Sequence, residues 1–67
     1  MLTLGGRIKQ IRKENRLTQM EFASELRVSR PHVTNIENDK ENPSATLVRL
    51  ISVLFQADED WIKSGYK

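Results

Sequence analysis

Along the whole chain the apolar residues recur three and four positions apart, and no stretch alternates apolar with polar long enough to read as a strand. That period points to helices throughout. Leu4, Ile8 and Ile11 form a first stripe that ends near Asn15 and Arg16, with Gly5 and Gly6 weakening its first turn. Thr18 is a good N-cap for a second helix; Glu21 stands three residues later as in a capping box, and Phe22, Ala23 and Leu26 follow as an inward stripe. Ser29 caps a third helix, SRPHVTNIE over residues 29–37, where Pro31 is tolerable because a first-turn N–H has no helical partner anyway. Pro43 and Ser44 introduce a fourth, with Val48, Ile51, Ser52 and Phe55 on one face. Asp58 caps a fifth, whose first turn carries Glu59 and Asp60 before Trp61 and Ile62. Five short helices joined by brief turns make a compact all-α domain.

The 67 residues fit a single domain, 1–67, near the lower size limit for a core without staples. No cysteine is present, so the fold rests on packing alone. The lone His32 has no second ligand type beside it, which argues against a metal site, and it is expected to pack at the edge of the apolar face without a functional role. One histidine and no cysteine also leave few nucleophile–base pairings, so neither enzyme chemistry nor a cofactor is expected. The amino terminus lacks a basic segment followed by an apolar run, and the apolar stretch LVRLISVLF is too short for a bilayer and broken by Arg49. A soluble, cytoplasmic protein without membrane contact is expected.

The third helix has an unusual outer surface. Val33 and Ile36 give it an inner face, while Pro31, Thr34, Asn35 and Asn38 fall opposite, with Arg30 at the amino-terminal edge. These side chains are mostly short, uncharged and able to hydrogen-bond, where a merely solvated helix would carry Glu and Lys. Charge is uneven along the chain in the same sense. Residues 1–36 hold seven Lys/Arg against three Glu, and residues 37–67 hold four against six acids, so the first half is the one suited to a polyanion. Only Arg27 and Val28 separate the second and third helices, the spacing of a helix-turn-helix over residues 18–38, and the small Ala23 lets the two cross closely.

On these residues, TQMEFASELRVSRPHVTNIENDKENPS resembles the DNA-binding domain of phage repressors of the Cro/CI type. The matching positions are Gln19, Ala23, Val28, Val33, Ile36, Glu37, Pro43 with Ser44, and Trp61, and the likeness runs from about Leu4 to the DWIKSG near the end. It implies a lambda-repressor-like five-helix domain with a helix-turn-helix, a transcriptional regulator that binds double-stranded DNA. Two positions depart from the pattern: Arg27 stands in the turn and Asp39 after the third helix, both places where the family commonly has glycine. Should those positions need positive φ, Asp39 adopts it at small cost and Arg27 less readily.

In that setting the outer surface becomes a base-reading face. Arg30 can donate twice to guanine O6 and N7, Asn35 can pair with adenine N6 and N7, and Pro31 or the Thr34 methyl can touch a thymine methyl. The resemblance places Gln19, Ser29, Asn38 and Lys40 near phosphates, and the N–H groups behind Thr18 could add an anion contact. It also implies an ion pair between Arg12 and Glu37, whereas Arg7, Lys9 and Lys13 are expected in solvent, and Trp61 is expected to cover the core. Leu47, Leu50 and Leu54 form a second stripe on the fourth helix that so small a domain can hardly bury. With Ile62 they are expected to form a dimer or partner surface within residues 44–64, so that a homodimer meets a palindromic operator. A different use of the same fold stays open. Glu37, Asp39 and Glu41 lie beside the proposed face and fit a protein-interaction module, an antirepressor or antitoxin-like partner of another regulatory protein.

Overall fold

The computed structural model describes residues 2–65. It contains α1 (Leu4–Glu14), α2 (Gln19–Leu26), α3 (Arg30–Glu37), α4 (Ala45–Phe55) and α5 (Glu59–Ser64), with no strand among the described residues. The fold is all-α and lambda-repressor-like. Each helix starts where a short polar side chain can satisfy an orphan N–H. The hydroxyl of Thr18 accepts from Glu21 N at 3.1 Å while Thr18 N donates to Glu21 Oε1 at 2.8 Å, completing the capping box. Ser29, Ser44 and Asp58 accept from His32, Leu47 and Trp61 N–H groups respectively. Thr3 does the same for α1 through Gly6 N, a cap that the apolar period alone does not announce.

All five helices end through a left-handed residue: Arg16, Arg27, Asp39, Gln56 and Gly65, with φ between 53° and 80°. Only one is glycine. The strain is offset by 6→1 hydrogen bonds of the Schellman kind, such as Val28 N to Ala23 O at 3.0 Å and Lys40 N to Asn35 O at 2.8 Å. Arg27 therefore holds the left-handed turn position at which the resemblance leads one to expect glycine.

The core draws on every helix: Ile8 and Ile11, Phe22, Ala23 and Leu26, Val33 and Ile36, Leu47, Val48 and Ile51, and Ile62. Phe55 is half-buried and closes one end with its ring centroid 5.3 Å from that of Phe22. Sequence expectations for Leu47, Leu50, Ile62 and Arg7 need correction. Leu47 is 7% exposed and Ile62 0%, so neither lies on a partner surface; α5 folds back on α4 and α1 and carries Ile62 inside. Leu50 is half-buried against the same core, leaving Leu54, at 46%, with its neighbour Val53 as the exposed apolar residues of that region. Nor is Arg7 in solvent. Its guanidinium is buried and donates to Ile62 O at 2.9 Å and Lys63 O at 3.3 Å, satisfying carbonyls near the end of α5, and to Leu2 O at 2.7 Å, ahead of α1.

Gly5 matters for packing rather than flexibility. A Cβ there would stand 2.1 Å from Ile36 O and 2.7 Å from an Asp39 carboxylate oxygen, so the start of α1 and the end of α3 meet only because glycine lacks one. Gly5→Ala should destabilise the domain by about 1–2 kcal/mol in urea titrations, even though alanine is the better helix former. An equal or higher stability would show that the two helices can part without cost.

Candidate nucleic-acid interface

The short turn holds α2 and α3 against each other, and α3 presents one side outward. Arg30, Pro31 and Asn38 are exposed, and Thr34 and Asn35 are half-buried beside them. Val33, Ile36 and Glu37 face inward. Pro31, Thr34, Asn35 and Asn38 thus share the outer side, with Arg30 at its rim.

One flank of this face is fixed by a chain of hydrogen bonds that begins in α1. Arg12 donates through Nε to Glu37 Oε2 at 2.7 Å and through Nη2 to Glu37 Oε1 at 3.1 Å, and through Nη1 to Leu17 O at 2.8 Å. Both partners of the ion pair are buried. Gln19 Nε2 donates to Glu37 Oε1 at 3.1 Å, and Thr34 Oγ1 donates to Gln19 Oε1 at 2.9 Å. A carboxylate only accepts, so Glu37 decides which end of the Gln19 amide faces it. The carbonyl end is left for Thr34, and the second Nε2 hydrogen has no partner among the described residues. Because the Thr34 hydroxyl is engaged, also within reach of Arg30 O at 3.1 Å, its methyl is the part free to meet a ligand.

The other flank is fixed by the loop after α3. Glu41 Oε1 accepts from Asn35 Nδ2 at 2.9 Å, and Glu41 Oε2 lies 2.8 Å from His32 Nδ1. The Asn35 amide, above all, with His32 beside it, holds the Glu41 carboxyl below its ordinary range. It is therefore ionised at neutral pH.

These contacts change how the nearby acids count. Glu37 is matched by Arg12. Asp39 Oδ1 accepts from Gly5 N at 3.0 Å and Oδ2 from the Thr3 hydroxyl at 2.6 Å, so its charge sits at the positive end of α1. Glu41 is occupied by Asn35 and His32. Among the described residues, Arg30 and Lys40 have no acidic partner. The roles of His32 and Glu41 escaped sequence reasoning, because the loop returns to α3 through backbone bonds that leave no periodic trace. Among the described residues no group of three or more His, Asp or Glu is placed to hold a metal ion, and no helix is long and apolar enough to cross a membrane.

Comparison with known proteins matches residues 8–62 to a helix-turn-helix family. The chain is 41% identical over 51 residues to the immunity repressor protein of Bacillus phage phi105, a match covering 76% of this chain and 35% of that protein. It is 38% identical over 60 residues to the ImmF control region 10 kDa protein of the same phage, covering 90% of this chain and 67% of that one. The chain thus spans about a third of the length of the repressor it matches. No solved structure matches at comparable significance. With α2, its left-handed turn and α3 all inside the matched segment, the chain belongs to the helix-turn-helix family, in its Cro/CI-type form.

Proposed function

We propose that this protein is a sequence-specific DNA-binding transcriptional regulator, a repressor, that places the outer side of α3 in the major groove. The observation that carries the reading is the state of charge around α3. Of the three nearby carboxylates, Glu37 is paired with Arg12, and Asp39 and Glu41 are held by hydrogen bonds within the chain; among the described residues Arg30 and Lys40 have no acidic partner, and the exposed side chains between them are mostly short and uncharged. Such a surface suits base edges with phosphates on either side. Likeness to an immunity repressor and a control region protein supports a role in transcription. Arg30, Pro31, Thr34 and Asn35 are the proposed base-reading residues, and Gln19, Ser29, Asn38 and Lys40 the phosphate contacts. The test is selection from a duplex library with a randomised centre. Enrichment of a defined sequence is the expected result; retention of all sequences alike, or of none, rules the reading out.

Lys40 gives a narrower test. Its backbone is tied to the end of α3 and its side chain is exposed, so it should neutralise one phosphate. Lys40→Ala should weaken all duplexes alike and reduce the slope of log affinity against log salt by about one. An unchanged slope removes Lys40 from the interface.

We further propose that the protein acts as a homodimer on a two-fold operator, with Leu54 and Val53 of α4 as its apolar contact. They are 46% and 68% exposed and adjoin each other near the end of α4, which makes them its exposed apolar patch. Leu54→Glu should leave the helices intact and weaken self-association by about tenfold or more in sedimentation equilibrium. A wild-type chain that stays monomeric at high concentration contradicts the dimer.

A further inference from the structure

The loop after α3 folds back over the last turn of that helix instead of leaving it. Asn35 O accepts from both Lys40 N at 2.8 Å and Glu41 N at 3.3 Å. That return sets the Glu41 carboxylate beside the outer face, with one oxygen on Asn35 Nδ2 and the other on His32 Nδ1. His32 and Asn35 are three residues apart and therefore neighbours on the helix surface. A carboxylate can only accept, so it decides which end of the Asn35 amide faces the loop. The Asn35 Oδ1 and the second Nδ2 hydrogen are left without partners among the described residues.

An adenine edge offers a donor at N6 and an acceptor at N7, and an amide meets both only when its oxygen and nitrogen arrive in the right order. A half-exposed asparagine otherwise turns broadly about its last torsion. We propose that Glu41 is a positioning residue for sequence reading: backed by His32, it holds the Asn35 amide in one orientation and leaves the second N–H and Oδ1 free for a purine edge. This rests on the DNA reading of α3 given above. It reverses the sense in which an acid beside that face is usually counted, because the charge weakens attraction to phosphates generally while sharpening the choice of base.

The two effects have opposite signs, which makes them separable. Selection with the wild-type protein from the randomised duplex library supplies the preferred sequence, and Asn35→Ala identifies the A·T pair whose preference depends on Asn35. Affinities are then measured for the selected duplex and for the same duplex with that pair changed to G·C, with circular dichroism confirming each variant's fold. Glu41→Ala should lower the ratio of the two affinities about three- to tenfold, the usual cost of immobilising one side chain at an interface, and should bind random duplex more tightly. Glu41→Gln, whose amide oxygen can still accept from Asn35, should bind random duplex more tightly yet keep most of the ratio. His32→Ala, which removes the support but keeps the acid, should lower the ratio in the same direction. A wild-type ratio in both Glu41→Ala and His32→Ala overturns the proposal. Absence of any enriched sequence, or full base preference in Asn35→Ala, instead overturns the reading of α3, and the proposal falls with it.

Discussion

Glu37→Ala is expected to lower the unfolding free energy by about 3–5 kcal/mol. Glu37 accepts three hydrogen bonds, two from Arg12 and one from Gln19, and its carboxylate is almost wholly out of solvent. Truncation strands a guanidinium that is itself buried and keeps only its bond to Leu17 O. A domain of this size has a total stability of roughly 3–10 kcal/mol, so the variant should be partly unfolded at physiological temperature. Urea titration, with the slope checked for an unchanged transition, gives the value. The paired replacement Arg12→Met with Glu37→Leu fills similar volume without charge and should recover most of the loss. It should still bind DNA less well than wild type, because Gln19 then has no carboxylate to fix its amide. A loss below about 1 kcal/mol for Glu37→Ala would mean that water reaches Arg12 and the pair is not truly buried.

The second large effect is expected on binding. Arg30→Ala and Asn35→Ala should each cost about 1–3 kcal/mol on the selected duplex, up to roughly a hundredfold in affinity. Neither side chain belongs to the core, so stability should change little. The variants should part company on random DNA. Arg30 carries a charge that any phosphate attracts, so its loss weakens random binding as well, whereas Asn35 is neutral and its loss should leave random binding almost untouched. Equal weakening of selected and random duplex by Asn35→Ala would show that it does not read bases.

Much of the fold was legible in the sequence because it is written at short range. Helical period, the caps at Thr18, Ser29, Ser44 and Asp58, and the two-residue spacer at Arg27 and Val28 all act within a turn or two of chain. What the sequence hid depends on contacts that cross the molecule. Arg7 reaches a carbonyl 55 residues away, and Asp39 accepts from Thr3 and Gly5, 36 and 34 positions earlier; neither contact leaves a periodic trace in the sequence. The second stripe of α4 misled for a related reason. Periodicity shows that Leu47, Leu50 and Leu54 share a side, but packing against the other helices decides how far along that side the core extends: Leu47 lies beside Leu26, Val33 and Ile36, while Leu54 stays in solvent. Left-handed helix ends at Arg16, Arg27 and Gln56 carry no glycine to mark them, so the spacing of the turns had to stand in for residue type.

The central claim is that the outer side of α3 is what meets DNA. It is tested most directly by titrating the ¹⁵N-labelled protein with the selected duplex and following each amide, including the side-chain amides of Gln19 and Asn35. Large shifts are expected on residues 18–19, on Ser29 to Asn38 and on Lys40 and Glu41, with the Asn35 and Gln19 side-chain resonances among the most displaced. Shifts confined to α4 and α5, with Asn35 unmoved at saturation, would contradict it.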